Sequence, residues 1–177
     1  MKALIVYGTR SGATKGIADE IAKALTEKGY TATVANAKES KGVDVKAYDL
    51  VVVGSSVWAT WWSGAAKGFL RRNQRVLAGK KVALFSSGLA GNDPAQMDYA
   101  NQSIAKVAAN YPELKPLALA YFGGYIDFNS GNFFIKMVSK AMKEDFAKKG
   151  VDTSKPYDGR NLPAVHQWAL ELADKAR

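Results

Sequence analysis

The first fourteen residues, MKALIVYGTRSGAT, constrain the fold of this chain more than any other stretch. Ala3 to Tyr7 is an unbroken apolar run rich in β-favouring residues, the pattern of a strand buried on both faces. Gly8 ends the run. Thr9-Arg10-Ser11-Gly12-Ala13-Thr14 then packs three hydroxyls and a glycine into six positions. Beyond Thr14 the pattern turns helical: Ile17, Ile21 and Leu25 recur at four-residue spacing with Ala18 and Ala22 beside them, and Gly29 stands as a C′ stop. A hydroxyl-rich loop between a buried strand and a helix N-terminus is an anion site. The free N–H groups of the first turn and the positive end of the helix dipole converge there.

Two sharper phosphate motifs fail at this loop. A P-loop counted from Gly8 puts Ala13 where the second glycine belongs and Thr14 where lysine belongs. A dinucleotide fingerprint is broken at once by Gly8-Thr9-Arg10. What remains, Thr9-x-Ser11-Gly12-x-Thr14, is a loop that could hold a phosphate by hydroxyls and backbone N–H groups, with no lysine built in. It resembles the phosphate loop of flavodoxins, Thr/Ser-x-Thr-Gly-x-Thr, with Ser11 standing where threonine is commonest.

Further along, Thr31 to Ala35 suits a second strand. Leu50 to Val53, stopped by Gly54, and Lys81 to Phe85 are wholly apolar or nearly so, and Leu117 to Phe122 makes the last strand. Between them the patterns predict helices over Ser63–Leu77 and Tyr99–Ala109, with a closing helix capped by Asn161 and carrying Pro163 in its first turn. Strand and helix alternate throughout. That argues for an α/β three-layer sandwich around a five-stranded parallel sheet, with the flavodoxin-like order 2-1-3-4-5. A single domain over 1–177 is expected, with an inserted segment about 124–159. Within it, residues Phe133 to about Phe146 read as an amphipathic helix, with Lys136, Lys140 and Lys143 opposite an apolar arc that Asp145 interrupts.

Ligands of such a sheet sit outside the carboxyl ends of the strands, at the switch in strand order. Three loops converge there: the hydroxyl loop; the run Ser55 to Trp62, with tryptophans at 58, 61 and 62; and the small-residue run Ser86 to Asp93. Together they suit a planar cofactor with a phosphate tail, and FMN matches. The expected cofactor-binding residues are Thr9, Arg10, Ser11, Gly12, Ala13 and Thr14 for the phosphate. Ser56, Val57, Trp58, Ala59 and Trp61 follow in the aromatic loop, and Ser87, Gly88, Leu89, Ala90 and Gly91 in the third. Trp58 is the expected ring neighbour, with Trp61 or Trp62 at the mouth.

The runs Tyr48 to Trp58, Phe69 to Asn73, Ala83 to Gly88, Phe122 to Asp127 and Phe134 to Val138, with Trp168-Ala169 in the closing helix, widen the resemblance. They are similar to the flavodoxin-domain family that contains the bacterial menaquinone-dependent protoporphyrinogen oxidases. The resemblance covers nearly the whole chain. It implies non-covalent FMN and redox chemistry. Because that family mixes electron carriers with enzymes, it leaves the substrate open. An electron carrier between partners is the leading reading. A protoporphyrinogen oxidase-type, quinone-linked flavoenzyme is the alternative.

Composition narrows the rest. The chain has no cysteine and one histidine, His166, which excludes thiolate zinc sites, iron–sulfur clusters and histidine-rich metal sites. No metal is expected, and His166, beside the apolar stripe of its helix, reads as structural. No twenty-residue apolar run and no signal peptide is visible, so a cytoplasmic protein is expected, with peripheral contact at the inner face of the membrane as a further option. The net charge is +9, against the acidic habit of flavodoxins, and between Asp49 and Asp93 stand six cations and no acid. Such charge suits acidic redox partners, or an anionic membrane surface that holds a quinone. A basic nucleic-acid-binding module would explain the charge but leave the three loops unused, so no nucleic acid is expected.

Overall fold

A computed structural model describes residues 1–10, 12–58, 61–129 and 142–177. Along the chain run β1 (Lys2–Gly8), α1 (Ala13–Glu27), β2 (Thr31–Asn36), β3 (Leu50–Trp58), β4 (Trp61–Trp62), α2 (Gly64–Leu77), β5 (Lys81–Ser87), α3 (Met97–Ala109), β6 (Ala118–Phe122) and β7 (Tyr125–Ile126). Helical residues 142–148, α4, precede β8 (Tyr157–Asp158) and the closing helix α5 (Leu162–Lys175).

Five strands pair in parallel in the order β2-β1-β3-β5-β6, which is the expected 2-1-3-4-5 once the short β4 is set aside. β4 joins the end of β3 antiparallel, an addition that the sequence pattern does not announce. Alternating side chains divide the core. Ala3, Ile5, Leu50, Val52, Ala83 and Phe85 face α1 and α5, whereas Leu4, Val6, Val51, Val53, Val82 and Leu84 face α2 and α3. Each Leu, Ile or Phe buried in this way contributes roughly 1.5–3 kcal/mol. The helices are amphipathic in register with these faces: Ile17, Ile21 and Leu25 on α1, and Phe69, Leu70 and Leu77 on α2, are fully buried.

His166 is partly buried. It lies between α5 and α1, with Nδ1 2.7 Å from Glu20 Oε1 and Nε2 3.0 Å from Glu27 Oε2. Asn161 caps α5 through its Oδ1, which accepts from the Ala164 N–H at 3.1 Å.

One expectation changes, and another lies largely outside the described residues. Gly54 does not stop its strand: β3 runs on to Trp58, and Gly54 pairs with Tyr7 on one side and Phe85 on the other. Its lack of a side chain serves packing, because a Cβ there would meet the Phe85 ring. The amphipathic helix expected over Phe133–Phe146 falls largely on 130–141, outside the described residues. The described part of the insertion is rooted by the β7–β8 pair, Tyr125 opposite Asp158 and Ile126 opposite Tyr157. Phe146 turns inward, its ring centroid 5.3 Å from Phe128 and 5.0 Å from Tyr157.

The Gly54–Phe85 contact is testable. Gly54→Ala should destabilise the chain by about 1–3 kcal/mol through overpacking, read from the denaturant midpoint. Adding Phe85→Leu should recover part of that loss. Strictly additive losses in the double variant would show that the two positions do not share the space.

Candidate functional site

The site is built from the loops at the carboxyl ends of β1, β3 and β5. In the first, Gly12 takes a left-handed φ of 87°, which favours glycine, and so turns the chain into α1. Its N–H donates to Thr9 Oγ1 at 2.8 Å. Thr14 is fully buried at the start of α1, and its hydroxyl has no hydrogen-bond partner among the described residues. Ser11 lies outside the described residues. Arg10 does not turn its side chain into the loop. Its Nη1 reaches toward the carbonyls of Ser56 and Trp61, each at 3.5 Å, and so braces the first loop against the second.

The second loop is a small hairpin. Val57 pairs with Trp62 and Trp58 with Trp61. Directly paired residues share a face of a sheet, so Trp58 and Trp61 stand together outward, 37% and 66% exposed, while Trp62 turns in and is 2% exposed. Trp62 therefore belongs to the core and not to the mouth. Its Nε1 donates to Ser86 Oγ at 2.8 Å. Ser56 Oγ is a second buried hydroxyl with no partner among the described residues. Ala59 and Thr60 lie outside them.

The third loop follows β5 as a 3-10 turn, Leu89–Asn92, which contains the expected Leu89, Ala90 and Gly91. Ser87 Oγ donates to the Gly123 carbonyl at 3.1 Å, and the Gly88 N–H donates to that of Phe122 at 3.1 Å. Here the backbones press together. A Cβ on Gly88 would stand 2.5 Å from the Tyr121 hydroxyl, and one on Gly124 would stand 2.8 Å from the Gly88 carbonyl carbon.

Three contributors escape a local reading of the sequence. The Asn92 side chain accepts from the Gly124 N–H at 3.0 Å and donates to the Gly124 carbonyl at 3.3 Å, pairing with that backbone as a second peptide would. Arg160 grips Asp158 in two-point fashion, Nε to Oδ1 at 2.8 Å and Nη2 to Oδ2 at 2.6 Å, and sends Nη1 to the Ala13 carbonyl at 3.1 Å. It thereby fixes the end of the insertion to the first turn of α1, and it holds the Asp158 carboxyl below the usual carboxylate range. Tyr121, the third, has its phenol pushed up to about 12, by burial first and then by Tyr99.

These loops bring together a helix N-terminus with a buried hydroxyl, an exposed aromatic pair and a rigid backbone edge. Among the described residues no group of three or more His, Cys, Asp or Glu could hold a metal ion, and no helix is long and apolar enough to cross a membrane. With these loops at the carboxyl edge of a sheet of this order, the fold is that of a flavodoxin-like α/β protein. The flavodoxin-domain family model matches residues 4–153, and the chain belongs to that family. A flavin cofactor follows from membership. The chain is 28% identical over 177 residues to the protoporphyrinogen IX dehydrogenase [quinone] of Escherichia coli K12, covering 98% of this chain and 95% of that one. Among solved structures, an archaeal flavodoxin superposes with a TM-score of 0.55 at 18% identity, covering 99% of each chain. A short-chain flavodoxin associated with a bacterial microcompartment gives 0.56 at 17% identity, over 85% of this chain and 99% of that one.

Because burial raises the folded-state pKa of Tyr121 above its ordinary value of 10.0, the folded chain keeps a proton that the unfolded chain loses. The stability linked to this group is intact below about pH 10 and is lost as the pH climbs to about 12. Tyr121→Phe should flatten the alkaline limb of a stability–pH curve. Limbs of equal slope would contradict the assignment.

Proposed function

We propose that the chain binds FMN without a covalent bond and works as a redox protein carrying electrons between partners. The observation that carries this reading is the buried Thr14 hydroxyl at the N-terminus of α1, which has no partner among the described residues. A buried hydroxyl left unsatisfied costs about 1–3 kcal/mol, and a phosphate accepting from it removes that cost. Thr9, Ser11 and the N–H groups at the start of α1 would complete the phosphate's donors. Trp58 and Trp61 would flank the ring, and the backbone from Ser87 to Gly91 would meet its polar edge. Bound there, FMN supplies one- and two-electron chemistry, while the chain binds, orients and shields it.

The likeness to an E. coli protein named for protoporphyrinogen and quinone supports a second reading, a quinone-linked flavoenzyme. A net charge of +9 supports anionic counterparts for either reading, acidic redox proteins or an anionic membrane surface at which a quinone is met. Turnover of protoporphyrinogen with menaquinone by the purified protein separates the enzyme from the carrier.

Thr14→Val keeps the shape and removes the hydroxyl. Loss of one hydrogen bond to a charged acceptor, about 1.5–3 kcal/mol, should weaken FMN roughly 10- to 100-fold while riboflavin affinity stays unchanged. Fluorescence titration of the apoprotein with each ligand reads both. Equal losses for the two ligands would place the phosphate elsewhere.

A further inference from the structure

α2 begins two residues after Trp62, with Ser63 as its cap, and spends its apolar side on the core through Ala66, Phe69, Leu70 and Leu77. Its other side carries Lys67, Arg71 and Arg75 at four-residue spacing, with Arg72 beside them, all exposed. Like charges four apart destabilise a helix. None of the ion pairs among the described residues involves these four. The row is also joined to the site. The Lys67 ammonium stands over the Trp61 ring, 5.4 Å from its centre. At the far end, Arg71 and Arg75 line a shallow cleft in which Glu113 is the sole acid among the lining residues.

We propose that Trp58 and Trp61, with the row Lys67, Arg71 and Arg75 as a basic rim, form the docking surface for an acidic redox protein that exchanges electrons at this site. The proposal rests on the flavin reading above and names the partner's chemistry. An aromatic centre with an arginine rim is the composition of an interface hot spot. A row of unpaired cations steers an acidic partner toward one edge. A membrane fits this surface less well. The outward side of α2 carries charge with its apolar residues committed to the core, so Trp58 and Trp61 alone are left to insert, a smaller apolar face than an interfacial helix presents. A redox partner must also come close to the ring, and this row begins beside the tryptophans expected to flank it.

Cytochrome c supplies a probe in two forms, basic as isolated and acidic once its lysines are succinylated. Binding is measured first, on the chain with and without flavin, at low and high salt. The succinylated form should bind, at least tenfold more weakly in high salt, and the native form should not. Arg71→Glu with Arg75→Glu should cost tenfold or more, whereas Lys175→Glu on α5 should leave binding unchanged. The flavin-loaded chain, reduced with dithionite, is then mixed with each ferric form. Each ferric haem takes one electron and becomes ferrous, two haems per flavin, with the flavin's protons released to buffer. The rate with the succinylated form should fall with salt and in the double arginine variant. Equal binding of the two forms, binding of neither, or a double variant that binds as well as the parent overturns the proposal. So does a double variant that loses only its binding to phosphatidylglycerol vesicles, which would assign the row to a membrane. If the chain holds no flavin, the electron-transfer arm fails while the binding arm still reports docking, so the two readings fall separately.

Discussion

The site depends on β1 being paired in parallel on both of its sides. Tyr7 lies opposite Asn36 of β2 and opposite Gly54 of β3, and Gly8 lies opposite Ser55. The crossover through α1 leads to β2 on one side of β1, and the chain then returns to build β3, β5 and β6 on the other. Crossovers that leave in opposite directions part their loops at the carboxyl ends of the strands, and the gap between them is where a ligand fits. The N-terminus of α1 opens at that gap because Gly12 turns the chain there within a few residues of the strand end. Burial of β1 on both faces is thus what holds the start of α1 in place. Ala3, Leu4, Ile5 and Val6 are all fully buried.

Neighbouring hydroxyls give the two unpartnered ones their meaning. Ser55 Oγ accepts from the Ser63 N–H at 2.8 Å and lies 3.1 Å from Ser63 Oγ, which in turn accepts from the Ala66 N–H at 3.3 Å. Ser86 is occupied by Trp62, and Ser87 by the Gly123 carbonyl. The wall therefore satisfies its own polar groups, and Thr14 and Ser56 are the buried hydroxyls it leaves over among the described residues. On the FMN reading proposed above, those two are the hydroxyls left for the cofactor.

Local pattern carried the reading of strands and helices because side-chain period and burial are set within a few residues. The order of the five parallel strands followed from handedness and alternation, and the three loops from that order. What local pattern missed lies at long range. Gly54 reads as a stop until the Phe85 ring, 31 positions away in the chain, is seen to fill its space. Trp58, Trp61 and Trp62 read as one aromatic cluster until the pairing of β3 with β4 sorts them by face. Arg160 bonds a carbonyl 147 residues before it, and Asn92 a peptide 32 residues after it. No spacing rule announces either contact.

Those two residues also explain how the insertion bears on the site. Its described roots touch the site's edges twice: Arg160 holds the first turn of α1, and on the other side Lys149 reaches Asp93 at 3.2 Å while Asn92 pairs with Gly124. These contacts are unequal. An exposed ion pair such as Lys149–Asp93 is worth about 0–1 kcal/mol and weakens with salt. The Asn92 amide makes two hydrogen bonds in a partly buried place, each contributing about 0.5–1.5 kcal/mol, and the glycines at 123 and 159 let it lie flat against the backbone. Arg160 has the planar fork that a two-point grip requires, and a lysine could not copy it. The hold on the third loop is therefore carried by an uncharged amide and the hold on the first by a half-sheltered guanidinium. Salt that loosens the surface pair leaves both in place, so the edges of the crevice keep their spacing while the basic row on α2 remains open to whatever anionic surface approaches.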